Sequence, residues 1–220
     1  MGRGISVSER GEKVVEILFE DSDIIVCVKP AGLPVQTASL AQPDLESGLK
    51  KHLAGKYLAV VHRLDQPVEG IMVFAKNPRA AAELSKQVQN GGGMHKHYLA
   101  RICGHMAEER GKCEDFLVKD ARTNSSRIAK EGERGAKRAV LEYEVIEKGA
   151  DTELLGITLH SGRHHQIRVQ LASRGTPIRG DRKYGGEKAL QGRLCLVADS
   201  LEFRHPAKGE RMEFHIEVKI

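Results

Sequence analysis

Residues 60–77, VVHRLDQPVEGIMVFAKN, place a charged quartet, His62-Arg63-Leu64-Asp65, between the apolar pair Val60-Val61 and a second apolar run, Ile71–Phe74. The length and apolar continuity of GIMVFAKN make it a buried strand. It leads into NPRAAAELSKQVQNGGG, a helix by its signals: Asn77 as N-cap, Pro78 at the first helical position, Ala81, Leu84 and Val88 on one face, and glycines 91–93 as the stop. A loop that interrupts apolar segments with Arg63 and Asp65, two residues apart, needs a reason. Two fit the stretch: an internal ion pair or turn former, or a nucleophile or base kept ionised by a neighbouring arginine.

Outward from this stretch, EILFEDSDIIVCVKPAGLPV reads as strand, turn, strand, with Lys29-Pro30 ending the second apolar run. Residues 36–56 are mixed and hold a short helix. HKHYLARICG and AVLEYEVIEK are strands, and the polar, weakly patterned residues 111–139 between them form a hairpin or loop. TELLGITL is a strand leading into HSGRHHQIRVQLASRG, a helix with Ile167 and Leu171 on one face and Gly175 at its end. RMEFHIEVKI alternates Met212, Phe214, Ile216, Val218 and Ile220 with polar residues, a half-buried strand. Strands outnumber helices and short turns join several of them, which predicts an α+β fold with a mixed, largely antiparallel sheet and flanking helices. Without an internal repeat or a long linker, residues 1–220 are expected to form one domain, with 1–15 a loose N-terminus.

The 220 residues are 40% hydrophobic and 30% charged, as in ordinary globular proteins. No apolar stretch approaches the roughly 20 residues of a bilayer-spanning helix, so no membrane is implied. MGRGISVSERGEKVVE lacks the apolar core of a secretory signal, which points to the cytoplasm. Four scattered cysteines without CxxC spacing argue against a disulfide framework and a zinc cluster. The net charge of +5 is unevenly spread: residues 160–193 carry eight Arg or Lys against two acids, a segment suited to phosphates. Its HHQIRVQ supplies a second arginine source. That favours a chemical role for Asp65, since an enzyme acting on RNA needs cations around the phosphates and around its own carboxylate. His62, His160, His164 and His165 invite a rival reading as a metal-dependent hydrolase. His164 and His165 are adjacent, however, and neither HxxxH nor a carboxylate ligand motif accompanies them, so no metal is expected.

HRLDQPVEGIMVFAKN resembles the signature of the RluA-type pseudouridine synthases, in which His-Arg-Leu-Asp is followed by Gly, a hydrophobic run and Ala-Lys. ILFEDSDIIVCVKPAGLPV is similar to that family's opening strands with their Lys-Pro-x-Gly turn, and HKHYLARICG to its Lys-x-Tyr-x-Ala segment. GRHHQIRVQLASRGTPIRGDRKYGG resembles its Gly-Arg-x-His-Gln-Ile-Arg block ending in Gly-Asp-x-x-Tyr-Gly, and RLCLVADSLEFRHP its closing strand and His-Pro turn. The blocks lie in order between residues 17 and 206.

The resemblance implies an isomerase that breaks the bond between uracil and sugar, turns the base in place and rejoins it through a ring carbon. No metal or organic cofactor is implied. Asp65 is the implied catalytic carboxylate, either attacking the anomeric carbon or removing a sugar proton to give a glycal. Arg168 pairs with it in this reading, Tyr98 stacks on the uracil, and Arg63 fills the space left by a flipped uridine. The implied partner is RNA, a ribosomal or transfer RNA stem-loop, bound by a monomer whose chain begins with the catalytic domain and carries no separate N-terminal RNA-binding module. A catalytically inactive RNA-binding protein is disfavoured because Asp65, Tyr98 and Arg168 are all present. The chain departs from the family pattern at Val68-Glu69 (commonly Thr-Ser), Gln170 (commonly His) and Val197 (commonly His), which bears on the choice of target.

Overall fold

Apolar runs bounded by Gly, Pro, Asp and Asn become paired strands in a computed structural model that describes residues 3–6, 14–39, 41–89, 91–189, 192–218 and 220. The chain divides into two compact units, Met1–Met94 with Ala198–Glu217 and His95–Val197 with Val218–Ile220.

The first unit contains β1 (Arg3–Ser6), β2 (Val14–Glu20), β3 (Ile24–Lys29), α1 (Leu45–His52), β4 (Ala59–Val60), β5 (Glu69–Ala75) and α2 (Pro78–Val88). IIVCVK and EGIMVFA are apolar on both faces, as central strands must be, and pair antiparallel with Cys27 opposite Met72 and Val26 opposite Val73. Helix α2 begins as its sequence signals require, with Asn77 Oδ1 accepting from the N–H of Ala80 at 2.8 Å. Its Ala80 and Leu84 are buried in a core with Ile24, Val26, Ile71, Val73, Leu201 and Phe203. Asp44 caps α1 in the same way, accepting from Ser47 N–H at 2.7 Å. Part of the terminus expected to be loose is ordered. Arg3–Ser6 pair with β2, placing the half-buried Ile5 opposite the fully buried Val15 at that edge. Residues 1, 2 and 7–13 of that expectation lie outside the described residues.

The second unit contains β6 (His95–Cys103), β7 (Arg110–Asp120), β8 (Ser125–Ala129), β9 (Lys137–Lys148), β10 (Thr152–Leu159) and α3 (Gln166–Ala172), and its strands run in the order β6-β10-β9-β7-β8. Within the weakly patterned residues 111–139, β7 and β8 form a regular hairpin. Beside β9 the inward positions Cys113 and Leu117 find Leu141 and Lys137 as register partners, so tertiary pairing supplies the pattern that local alternation lacks. β11 (Leu196–Arg204) carries the chain back to the first unit, where β12 (Arg211–His215) pairs with it antiparallel. The alternation read in RMEFHIEVKI survives as half-buried Met212, Phe214 and Ile216 against the first unit's core, although the strand stops at His215. Gly70 is required by close approach: at φ 145°, a Cβ there would lie 2.3 Å from the carbonyl oxygen of Ala198. Antiparallel pairs such as β2–β3, β3–β5, β6–β10 and β9–β10 dominate, so the fold is α+β with a mixed, largely antiparallel sheet, as the sequence predicts.

Candidate active site

In the first unit the charged quartet is a loop between β4 and β5, and its residues alternate in burial: His62 and Leu64 inward, Arg63 outward, Asp65 half-buried. Two anchors hold it. On one side His62, 8% exposed, accepts the N–H of Val73 at its Nε2 (3.1 Å), which borrows a donor from β5 and places the proton on Nδ1. On the other, the carbonyl oxygen of Gln66 accepts from Gly32 N–H at 2.8 Å and from Lys29 Nζ at 3.0 Å. Lys29 is fully buried, and its ammonium also donates to the carbonyls of Leu33 (2.8 Å) and Pro30 (3.1 Å). A buried cation satisfied by three carbonyl dipoles thus ties the Lys-Pro-Ala-Gly turn to the residue next to Asp65. The N–H of Val68 closes a turn on the carbonyl of Asp65 at 3.0 Å. Arg63 is exposed beside Glu46, whose carboxyl is held below its usual value: burial opposes the shift, but hydrogen bonds from Lys50 and Gln36 and the nearby charge of Arg63 outweigh it.

In the second unit Tyr98 lies on β6 opposite Ile157 and is 7% exposed. Lys96, two residues earlier and on the same side of the strand, has its pKa lowered by burial. Arg168 lies on α3, and that helix differs from its amphipathic expectation: Gln166 through Leu171 are all buried. A guanidinium inside such a helix needs an acceptor, and Asp181 provides it. Nε donates to Oδ2 and Nη2 to Oδ1, both at 2.8 Å, in a bidentate pair whose side chains are 7% and 1% exposed. Asp181 Oδ1 also accepts from the N–H groups of Lys183 (2.9 Å) and Tyr184 (3.1 Å). Burial alone would raise the Asp181 pKa; the Arg168 hydrogen bonds and charge and the two backbone donors reverse that and lower it. Asp181 has its place because Gly180, at φ 78°, lets the backbone pass where a Cβ would meet the Arg193 carbonyl oxygen at 1.9 Å.

Two neutral histidines complete this half. His165 begins α3 in the left-handed region (φ 55°), and its Nδ1 shares a 2.7 Å hydrogen bond with the Tyr184 hydroxyl. The Tyr184 ring lies 5.1 Å below the Arg168 guanidinium, and His164 stacks on His165 at 3.8 Å. Burial first, then the cations Lys119, Lys183 and Arg168, push His164 down to about 4; burial first, then Arg168, pushes His165 down to about 3. Folding therefore excludes protons that the unfolded chain binds below its ordinary histidine pKa of about 6.5. Stability is full above that value and falls as the pH drops toward 4, with a slope of up to about 1.4 kcal/mol per pH unit for each histidine. His105, raised by its hydrogen bond to Glu153, contributes fully below 6.5 and adds no slope in this window. Denaturant midpoints measured from pH 6.5 to 4.5 should fall steadily; a flat profile in that range would show that neither histidine excludes its proton.

One described group has the spacing of a metal site: Asp21, Asp23 and His205 bring ligand atoms within 4.8 Å of one another. Its imidazole is already committed. Nδ1 accepts the N–H groups of Ala207 and Lys208, and Nε2 faces Asp21 Oδ2 at 2.9 Å, so both ring nitrogens serve the turn and neither is left for an ion.

The structure thus joins Arg63 with Asp65 on one anchored loop and sets Tyr98 and Arg168 in the second unit's core. Sequence reasoning assigned no role to Asp181, Tyr184 or Lys29, although Gly-Asp-x-x-Tyr-Gly and Lys-Pro-x-Gly were the signals that could have found them. Three of the four departures are core positions as well: Val68 and Val197 are 2% exposed, and Gln170, fully buried, donates to Asp115 Oδ2 at 2.6 Å.

Residues 23–173 match the family described as RNA pseudouridylate synthase. Over 198 residues the chain is 37% identical to the dual-specificity RNA pseudouridine synthase RluA of Vibrio vulnificus, covering 87% of this chain and 78% of that protein. It is 34% identical over 215 residues to the protein of the same name from Pasteurella multocida, covering 96% of each. Among solved structures, human RNA Pseudouridylate Synthase Domain Containing 4 shares the fold, with a TM-score of 0.75 at 24% identity over 92% of this chain and 88% of that one. With a family match over more than half of its length and relatives this similar along most of theirs, the chain belongs to the RNA pseudouridylate synthase family.

Proposed function

We propose that this protein, an isomerase by its family, converts uridine to pseudouridine in a ribosomal or transfer RNA stem-loop, with Asp65 as the catalytic carboxylate. The observation that carries this reading is the anchoring of the Asp65 loop on both sides, through His62 to β5 and through the Gln66 carbonyl to Lys29. A reacting carboxylate must be held in place, and these anchors fix the loop that carries it. In this reading Asp65 attacks the anomeric carbon or removes a sugar proton, and the bond from C1′ to the base nitrogen breaks. The uracil turns within the site, and C1′ bonds to the ring carbon as its bond to Asp65 breaks or the sugar proton returns from Asp65; the ring carbon gives up its proton while the nitrogen ends protonated. Atoms and electrons balance without an external reactant. Arg168 serves as counter-charge to the carboxylate, held by Asp181 so that its fork cannot swing; Tyr98 stacks on the uracil; Arg63, exposed on the loop, enters the space left by the flipped nucleotide. The two units are proposed to act as a single catalytic domain, as a monomer in the cytoplasm; no described helix is long and apolar enough to cross a membrane.

Mapping pseudouridines by chemical labelling in cells with and without the protein tests the assignment: one or more sites should disappear with it, and an unchanged map would overturn it. The cationic segment gives a second expectation. Arg179 and Arg182 are exposed, whereas Arg174 donates to Asp115 Oδ2 at 2.9 Å. Replacing Arg174, Arg179 and Arg182 together should flatten the slope of log affinity against log salt by about 0.7–0.9 for each phosphate that is no longer neutralised, most of it from Arg179 and Arg182. Single-turnover chemistry at saturating RNA should stay close to wild type. An unchanged slope would place the RNA on another face.

A further inference from the structure

The β7–β8 hairpin ends in four connecting residues, Ala121–Asn124, with Asn124 in the left-handed region at φ 48°. Such a tip usually has only its own strands to hold it. Here it is fastened to the segment that carries Arg168. Lys183 Nζ donates to the carbonyls of Asn124 (2.9 Å) and Thr123 (3.2 Å), and the N–H of Ser126 donates to the Tyr184 hydroxyl (2.8 Å). His164 completes the attachment with both ring nitrogens: Nε2 meets Asn124 Oδ1 at 3.2 Å and Nδ1 meets Ser126 Oγ at 2.8 Å. Since a carboxamide oxygen only accepts, Nε2 carries the proton and Nδ1 receives the serine hydroxyl, the arrangement of a neutral imidazole. The stack on His165 sets the ring's orientation. In the Gly-Arg-x-His-Gln-Ile-Arg block His164 occupies the unspecified position, so the motif does not account for it.

We propose that His164 is a positioning residue that locks the hairpin tip to the segment bearing Arg168 and Asp181, so that an RNA backbone gripped by the tip is presented in register with that segment. Lys119 and Arg122, exposed at the tip, are the cations for its phosphates. The proposal rests on the function proposed above, because it takes RNA as the ligand that the hairpin and Arg168 share. A tip freed from the latch keeps its cations but loses its fixed distance to the reacting residues, so the cost falls on productive binding rather than on the chemistry of RNA already bound.

Initial rates on an RNA that the wild type modifies test this. His164→Ala should raise KM about tenfold, the loss expected for one or two neutral hydrogen bonds, and lower kcat by less than about threefold. Ser126→Ala, which keeps its N–H to Tyr184, should do the same to a smaller extent, and the double variant should be no worse than His164→Ala alone. His164→Gln, which returns a donor near the place of Nε2, should recover part of the loss. Amide exchange in residues 121–126 should quicken in His164→Ala while the rest of the second unit keeps its protection, a readout that needs no RNA. A KM within twofold of wild type, additive effects in the double variant, or unchanged exchange at the tip would each overturn the latch. Loss of pseudouridine formation in Asp65→Asn alongside a normal His164→Ala would leave the proposed function standing and remove only this inference.

Discussion

Asp65→Asn is expected to lower pseudouridine formation by at least about 10³-fold while RNA affinity stays within a few-fold of wild type. The amide has the size of the carboxylate but neither its charge nor its basicity, so it can neither attack the anomeric carbon nor take a sugar proton. Binding survives because it comes chiefly from Lys and Arg on the phosphates, which this substitution leaves in place. The loop keeps the anchors of its neighbours, the His62 imidazole on Val73 N–H and the Gln66 carbonyl on Lys29 and Gly32. The two readouts are tritium released from uridine labelled at C5 and retention of the same RNA on a filter. Turnover retained in the purified variant would remove Asp65 from the chemistry. Equal loss of binding and turnover would instead make the carboxylate part of the RNA grip.

The largest stability effect is expected at Asp181. Removing its carboxylate in Asp181→Ala takes the bidentate acceptor from Arg168 and orphans the N–H groups of Lys183 and Tyr184. Truncating one partner of a buried ion pair costs about 3–5 kcal/mol, because the other charge stays in a low-dielectric interior without compensation. For a chain of 220 residues that corresponds to a midpoint roughly 6–20 °C lower. The double variant Arg168→Met with Asp181→Leu separates the pair's two roles. Replacing both charges with apolar groups of similar volume should restore much of the stability. Activity should not return, since the counter-charge proposed for Asp65 is gone. A double variant that regains turnover would show that the pair only holds the fold. Acid should reveal the same group: the lowered pKa of Asp181 means its contribution is present above the unfolded value near 3.8 and is lost as pH falls through the folded one.

Much of the architecture was legible because short-range physics wrote it. Asn77 and Pro78 announced α2, the unbroken apolar run Ile71–Phe74 announced a strand buried on both faces, and the alternation from Met212 to Ile216 announced a half-buried one. Each is an interaction between residues close in the chain or a demand for burial that the residue types themselves state. The catalytic candidate was legible only in part: a carboxylate in an apolar context also suits an ion pair or turn former, and it was the second arginine source and the ordered motifs that favoured chemistry.

What the sequence by itself determined is therefore the class of fold, the charged loop before β5 and, through its ordered motifs, the family. Only the tertiary structure decided that Arg168 is sealed in a helix buried on every side, that its acceptor stands thirteen residues away at Asp181, that Lys29 secures the Asp65 loop across more than thirty residues, and that residues 110–129 form a hairpin fastened by His164. The physical reason is common to all four. A buried charge or a polar strand is stable only if distant groups complete its hydrogen bonds, and those partners are chosen by how the chain closes on itself rather than by the residues next to them.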